Sequence, residues 1–370
     1  MSDSDSDDNP DNPKRFAGKK LEVVLNFLRD RQEGENRTIL KLEKMGITGN
    51  IPEHIDTLYE YALVELKLGE NWLEGPIPGQ IGNFRNLEYL WLNENRLLTG
   101  PIPWQLGNLT NLRSLNLETN QLTGPIPWQL GQLVQLENLD LANNRLAGHI
   151  PRQLGNLTNL WGLNLSQNQL TGSIPPELGR LINLRGLNLS QNQLTGLIPW
   201  QLRELSELVA LTLHENGLTG RILPGFKRLI NLNELDLGNN QLTGIFPFYK
   251  GDFPAIEPNK QTFWNNRIVL TRNNLEPREH NKVWRREDID ARGKMPERES
   301  APAPHPKSAA KGGDESEFGK IIKPYKKHLS RVDDKGAYFN TRFGVQKLRD
   351  DERGLYLKNG KGARLYLYKW

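Results

Sequence analysis

Between Leu63 and Gly244 the chain restates one unit eight times, in variants of LNLSQNQLTGSIPPELGRLINL. One leucine of that unit recurs at Leu42, Leu68, Leu92, Leu117, Leu141, Leu165, Leu189, Leu213 and Leu237. The last five steps are 24 residues each, and Leu98 reads as a one-residue insertion in an earlier unit. A fixed period of this length predicts a solenoid, in which each coil buries its neighbours and none is stable alone. A chain built this way lengthens along one axis, so 370 residues need not divide into domains of ordinary size.

The unit explains most of its own residues. Leucines at alternate positions of LNLSQNQL fall on one side of a short strand, and the residues between them on the other. Burying each leucine contributes roughly 1.5–3 kcal/mol relative to exposure. One slot holds Asn71, Asn95, Asn120, Asn144, Asn168, Asn192, Asn216 and Asn240. An amide has two donors and an acceptor, so at this period it serves backbone groups left open where the strand turns away. Gly75, Gly100, Gly124, Gly148, Gly172, Gly196, Gly220 and Gly244 suit a turn that a β-carbon would obstruct. The following Ile-Pro buries one side chain while proline fixes φ.

These motifs resemble the plant-type leucine-rich repeat, LxxLxLxxNxLxGxIPxxLGxL, over about 210 residues. The resemblance implies an α/β solenoid, a curved horseshoe with a parallel sheet on its concave face. It also implies recognition through that face, as in receptor-kinase ectodomains and polygalacturonase inhibitors. The chain differs from those proteins in having no signal peptide, cysteine-paired cap, membrane helix or kinase domain.

Composition points to the cytosol, or else the nucleus. The start MSDSDSDDNPDNPKR is acidic where a secretory signal needs a basic end before an apolar stretch. No run of 18 apolar residues offers a membrane span. Cysteine is absent, which excludes disulfides and thiolate metal sites. Asn108, Asn156, Asn164 and Asn188 head formal glycosylation triplets, but the repeat's NLT and NLS spellings produce these unaided.

Along the chain, composition predicts a disordered acidic tail over 1–16. Leu21, Val24, Leu25 and Leu28 mark one helical face, hence a capping helix within 17–36. Nine repeats fill 37–248, and 249–296 forms a C-terminal cap whose RIVLTRNNL (Arg267 to Leu275) reads as a degenerate tenth unit. Residues 297–317, rich in Pro, Ala, Ser and Gly, form a linker. The segment 318–370 is a small basic β-rich unit, whose GLYLKNGKGARLYLYKW has the alternation of a hairpin around Asn359-Gly360.

Residues between the strand leucines form the candidate ligand face. Glu88, Tyr89, Trp91, Glu94 and Glu118 make an aromatic-acidic cluster in the N-terminal third. Further on the face becomes small and amide-rich, with Trp161 at its edge, then Asn164, Asn188 and His214. Aromatics beside charges are common in interface hot spots, so a protein or peptide ligand is expected here. Trp104, Trp128 and Trp200 share the slot after Ile-Pro, where Trp104 and Trp128 are expected to pack on each other or to form a second contact surface.

No catalytic constellation, metal spacing or cofactor motif is found. The histidines at 54, 149, 214, 280, 305 and 328 make neither HxxxH nor HExxH, and no nucleophile elbow or phosphate-cradling glycine loop occurs. Charge is divided unevenly. Residues 1–252 hold 22 basic and 28 acidic side chains, whereas 318–370 hold 14 and 5. The basic tail interleaves Lys and Arg with Tyr, Phe and Trp, which suits nucleic acid or an anionic surface as a second partner.

Overall fold

The computed structural model describes residues 16–31, 38–58, 63–222 and 224–245, together with strands at 267–269 and 274–276 and six more between 329 and 368. Side chains are described within 16–28, 38–57, 63–222 and 224–244. The expected acidic tail up to residue 15 and the linker 297–317 lie outside the described residues. The chain divides into two compact units, 1–299 and 300–370.

The first unit is a solenoid of two parallel ten-stranded sheets. Each coil contributes a three-residue strand to the concave sheet, from Ile39–Lys41 through Tyr89–Trp91, Gly162–Asn164 and Gly186–Asn188 to Arg267–Val269. Pairing holds equivalent residues opposite each other, so Leu163 faces Leu139 on one side and Leu187 on the other. The central leucines are fully buried, as are the leucines two positions further on. They join one continuous core that runs through every coil.

The second sheet was not legible in the repeat. It uses the segment after the asparagine, from Thr48–Asn50 through Gln121–Gly124 to Asn274–Glu276. The LTG glycines sit inside these strands with φ near +75°. At Gly124 a β-carbon would find nothing closer than 3.7 Å, so this glycine is required by its left-handed backbone and not by space. That corrects the expected steric reason at this position.

Among the described residues seven coils then close with a short 3-10 turn, such as Trp104–Asn108 or Trp128–Gln132. Proline at the turn's entry is extended, with φ −63° at Pro103. Helix in the α sense is confined, among the described residues, to Leu21–Arg31 and Ile55–Leu58. No helix among them is long and apolar enough to cross a membrane. The glycines pressed against backbone of the next coil are in the 3-10 turns: a β-carbon on Gly131 would lie 2.5 Å from the Gln153 carbonyl oxygen. Arg203 occupies this slot one coil after Gly179, and the facing residue there is Gly225. A β-carbon on Gly225 would come within 2.9 Å of Arg203 Cδ, so the glycine has moved to the partner coil.

The slot asparagines bind coil to coil. Asn144 donates Nδ2 to the carbonyls of Leu117 (2.9 Å), Leu141 (3.3 Å) and Ala142 (3.0 Å), and its Oδ1 accepts from Leu122 N–H at 3.0 Å. The inserted residue breaks this pattern once. Where other coils read Asn-x-Leu, the third reads Asn95-Arg96-Leu97-Leu98, and Arg96 takes φ +47°. Leu97 is pushed out to 42% exposure, and Asn120 Oδ1, which would bond across to this coil, is buried without a partner.

The helix Leu21–Arg31 closes the N-terminal end, burying Leu21, Val24, Leu25 and Leu28. Phe16 packs edge-on against Phe27, with ring centroids 6.0 Å apart, and is itself buried. Composition had assigned Phe16 to the acidic tail; its ring instead completes the cap core. Lys20 bridges to Thr48 and extends the second sheet to the cap.

The second unit contains two three-stranded antiparallel sheets. The first joins Leu329–Asp333, Gly336–Thr341 and Gly344–Lys347; the second joins Arg349–Asp351, Gly354–Lys358 and Arg364–Tyr368. The small β-rich basic segment is therefore more extensive than one hairpin.

Candidate functional site on the concave sheet

Each concave strand presents a buried leucine between two residues that face the open side. On Tyr89–Trp91 both flanking aromatics are half-buried. The cause is Lys67 on the preceding strand, whose Nζ lies 3.9 Å from the Trp91 ring centre and 5.1 Å from that of Tyr89. Lys67 also meets Glu65 Oε2 at 2.9 Å, and Lys41 reaches the same oxygen at 3.1 Å. The Lys67 ammonium, with Lys41 beside it, holds the Glu65 carboxyl below its usual range against the opposing effect of burial. Trp91 donates its indole Nε1–H to Ser114 Oγ at 3.0 Å. A cation over an aromatic face contributes about 0.5–2 kcal/mol. The Tyr89/Trp91 patch is thus internally capped.

The acidic members of the expected cluster separate into two groups. Glu88 pairs with Arg113 at 3.2 Å, and Arg113 reaches Glu137 at 2.7 Å, along the edge where the strands begin. These groups are substantially exposed, where ion pairs are worth at most about 1 kcal/mol. Glu94 and Glu118 lie on adjacent coils at the opposite strand end, with Glu94 N–H donating to the Glu118 carbonyl at 2.8 Å. Burial raises the Glu118 carboxyl, and the neighbouring charges of Asp140 and Glu94 add to the shift. Burial likewise raises Asp140, opposed by hydrogen bonds from Ala142 N–H (3.0 Å) and Asn164 Nδ2 (3.2 Å).

Asn164 and Asn188 have structural work on this face. Asn164 Oδ1 accepts from the Ser166 hydroxyl at 2.8 Å, and Asn188 Oδ1 from the Ser190 hydroxyl at 2.6 Å. Each also accepts the backbone N–H of the same serine. Next to them Gly162, Gly186 and Ala210 form a row without large side chains. A β-carbon on Gly186 would meet nothing within 4 Å, whereas one on Gly162 would strike Asn138 Oδ1 at 2.5 Å. Trp161, at the start of this row, is 49% exposed. Three strand spacings separate it from Trp91, about 14 Å, so the fold keeps the two aromatic sites apart. His214 instead continues the Ser166 and Ser190 position one coil on, its Nδ1 3.4 Å from Asp236 Oδ2.

Away from this face, Trp104 and Trp128 remain 55% and 51% exposed. Among the described residues no ring contact joins them, so the expected mutual packing is not found. Trp200 differs: the Arg203 guanidinium lies 4.4 Å from its ring centre. Reading rows of one repeat missed Lys67, whose partners sit 22 and 24 residues later, and Trp72, which is 57% exposed on the second sheet. Aligning the coils places Lys67 beside Trp91 in one row, but nothing in that row marks it as the cap over the ring.

Coils of this composition, paired in this register, define a leucine-rich-repeat solenoid. The family model described as Leucine Rich Repeat matches residues 86–109, 111–133, 135–157, 159–181, 183–205 and 231–249, so the repeats of this chain are leucine-rich repeats. Among solved structures, the chain is similar to the plant peptide hormone receptor RGFR1 in complex with RGF2. Identity is 34% over 64% of this chain and 36% of that one, with a TM-score of 0.59. It is similar to the Arabidopsis receptor kinase HAESA, solved with the peptide hormone IDA and the co-receptor SERK1. There identity is 34%, coverage 64% and 38%, and the TM-score 0.58. A third is the ectodomain of GASSHO1/SCHENGEN3 from Arabidopsis thaliana, solved with CASPARIAN STRIP INTEGRITY FACTOR 2, at 34% identity, 62% and 30% coverage and a TM-score of 0.52. The chain thus spans 30–38% of the length of these ectodomains. No curated protein sequence matches it.

Proposed function

We propose that the solenoid is a non-enzymatic recognition scaffold that binds an extended peptide, or a peptide-like segment of a protein, on its concave sheet. The observation that carries this is the half-exposed Trp161 at the head of the Gly162, Gly186 and Ala210 row, which is open at Gly186. A row without side chains admits a main chain close to the sheet, and an exposed indole offers an apolar anchor of the kind found in hot spots. Glu118 and Asp140, both raised by burial, favour a cationic residue in the ligand, which would offset the cost of burying their charged forms. Similarity to ectodomains solved with peptide hormones supports the class of ligand.

Selection of a displayed random dodecapeptide library on the full chain tests this reading. Enriched peptides should carry Lys or Arg beside an apolar residue. The synthesised peptide should bind Trp161→Ala about 30-fold more weakly than wild type, the loss expected of one hot-spot aromatic. Tyr89→Ala/Trp91→Ala should lose less, because Lys67 already covers those rings. A selected peptide that binds all three proteins equally removes the concave sheet as its site.

The same reading keeps the chain in the cytosol or nucleus, and Asn164 bears on that. Its amide donates to Asp140, so a glycan there would displace a structural hydrogen bond. Intact mass of the protein purified from its source should show no glycan at Asn108, Asn156, Asn164 or Asn188. Modification at these sites would favour an exported defence or inhibitor role instead.

A further inference from the structure

The second unit contains a duplication. RVDDKGAY (Arg331 to Tyr338) and RDDERGLY (Arg349 to Tyr356) align at a step of 18 residues, sharing Arg, Asp, Gly and Tyr, with Lys/Arg and Asp/Glu exchanged conservatively. The fold repeats with the sequence. In each copy the first strand ends at the aspartate, the next begins at the glycine, and those two residues pair.

The register then brings matching chemistry together twice. In the first sheet Tyr338 on the central strand pairs with Arg331 on one neighbour and Lys347 on the other. In the second, Tyr356 pairs with Arg349 and Tyr366. Each sheet therefore carries a cross-strand row with a central tyrosine and an arginine beside it, at the same repeat positions. Two residues along from Tyr356, Lys358 pairs with Arg364, adding cations on the next row of the same alternation. The alternate rows of the central strands are Ala337 and Phe339 in one sheet, Leu355 and Leu357 in the other.

We infer that these twin rows are a duplicated binding module for single-stranded nucleic acid, each sheet supplying one aromatic platform flanked by cations. Stacking on an aromatic ring accepts any base and contributes about 1–3 kcal/mol per base, while Lys and Arg along the row meet phosphates. A duplex keeps its bases stacked on each other, so the central tyrosines fit an unpaired strand better. The unit's 14 basic against 5 acidic residues from Phe318 onward match a polyanion. Duplication adds a second point of contact on one strand, which raises affinity through effective concentration. An anionic membrane would use the charge without needing a tyrosine repeated in register.

The test uses the full chain and fluorescein-labelled dT20, an abasic oligonucleotide of equal length, and vesicles of phosphatidylserine with phosphatidylcholine. Wild type should bind dT20 with log affinity falling linearly against log salt, and should bind the abasic strand at least 10-fold more weakly. Tyr338→Ala/Tyr356→Ala should lose at least 10-fold for dT20, each single variant less, and Tyr338→Phe/Tyr356→Phe should retain affinity. Equal binding of dT20 and the abasic strand by wild type overturns the stacking platform even if the alanine variants misfold. Binding to vesicles without binding to dT20 assigns the unit to membranes and overturns the inference entirely. None of these readouts involves Trp161, so failure here leaves the peptide site of the solenoid standing, and the reverse also holds.

Discussion

Interior and concave face belong to the same three-residue strands yet obey opposite rules. Inside, nearly every coil repeats its neighbour: a buried leucine, an asparagine bonded across to the previous coil, and a glycine pressed against the next one. Outside, the flanking residues change from coil to coil, from capped aromatics at Tyr89 and Trp91 to open glycine at Gly186. Uniform interiors set the rise and register of the solenoid. The varied face is then free to differ without disturbing either, which is why recognition is assigned there.

The sharpest way to break this division is through the interior. Asn144→Leu keeps the shape of the side chain but leaves the Leu122 N–H unserved and removes one donor from each of three carbonyls, which keep Asn120 Nδ2, Asn168 Nδ2 and Thr119 N–H. The unserved N–H costs about 1–3 kcal/mol and each lost bond to a carbonyl about 0.5–1.5 kcal/mol, so a loss of about 3 kcal/mol is expected in urea unfolding. A change under about 0.5 kcal/mol would show that the asparagines do not hold the coils together.

The two glycine series provide the next contrast. Gly131→Ala forces a β-carbon onto the Gln153 backbone and should cost about 2 kcal/mol as overpacking. Gly124→Ala has space but the wrong φ, and should cost about 1 kcal/mol from backbone strain alone. Thermal melts of the pair distinguish these causes: pairing Gly131→Ala with Gln153→Gly should restore stability in part, as Arg203 facing Gly225 already does in this chain. No comparable partner exists for Gly124, where the strain lies in its own φ.

The smallest effect is electrostatic, at Asp140. Burial holds its folded carboxyl above the ordinary range. Its contribution to stability is therefore present below the unfolded pKa, about 3.9, and lost as pH rises through the raised folded value. Asp140→Asn, which retains the acceptor for Ala142 N–H, should melt slightly higher than wild type at pH 7. That advantage should vanish by about pH 3. A gain independent of pH would place its origin outside the carboxyl charge.

Much of this was legible in the sequence because periodicity separates scaffold from surface. The nine leucines and eight asparagines announce the coil, and their spacing fixes the register that later places Trp161 beside Gly162 and Gly186. Other features were hidden for definite reasons. The LTG strand looks like a turn because its glycine needs a left-handed φ, yet its neighbours still pair in a sheet. Turn glycines and stacking glycines are the same letter, and only coil-to-coil distance separates Gly124 from Gly131. Glu88, Tyr89, Trp91 and Glu94 are close in sequence, with Glu118 one coil on, but Lys67 caps the aromatics and Arg113 diverts Glu88. Leu98 read as the insertion, but it is buried in the core and Leu97 is the residue turned out, which leaves Asn120 Oδ1 orphaned.

Gly186 gives the most direct test of recognition by the concave sheet. A β-carbon there meets no protein atom within 4 Å, so Gly186→Tyr fills the row while leaving the core untouched. Isothermal titration with a peptide selected on wild type should show at least a 30-fold loss of affinity for Gly186→Tyr, with a melting temperature within about 2 °C of wild type. Unchanged affinity in that folded variant would contradict the account and move the ligand off the concave sheet.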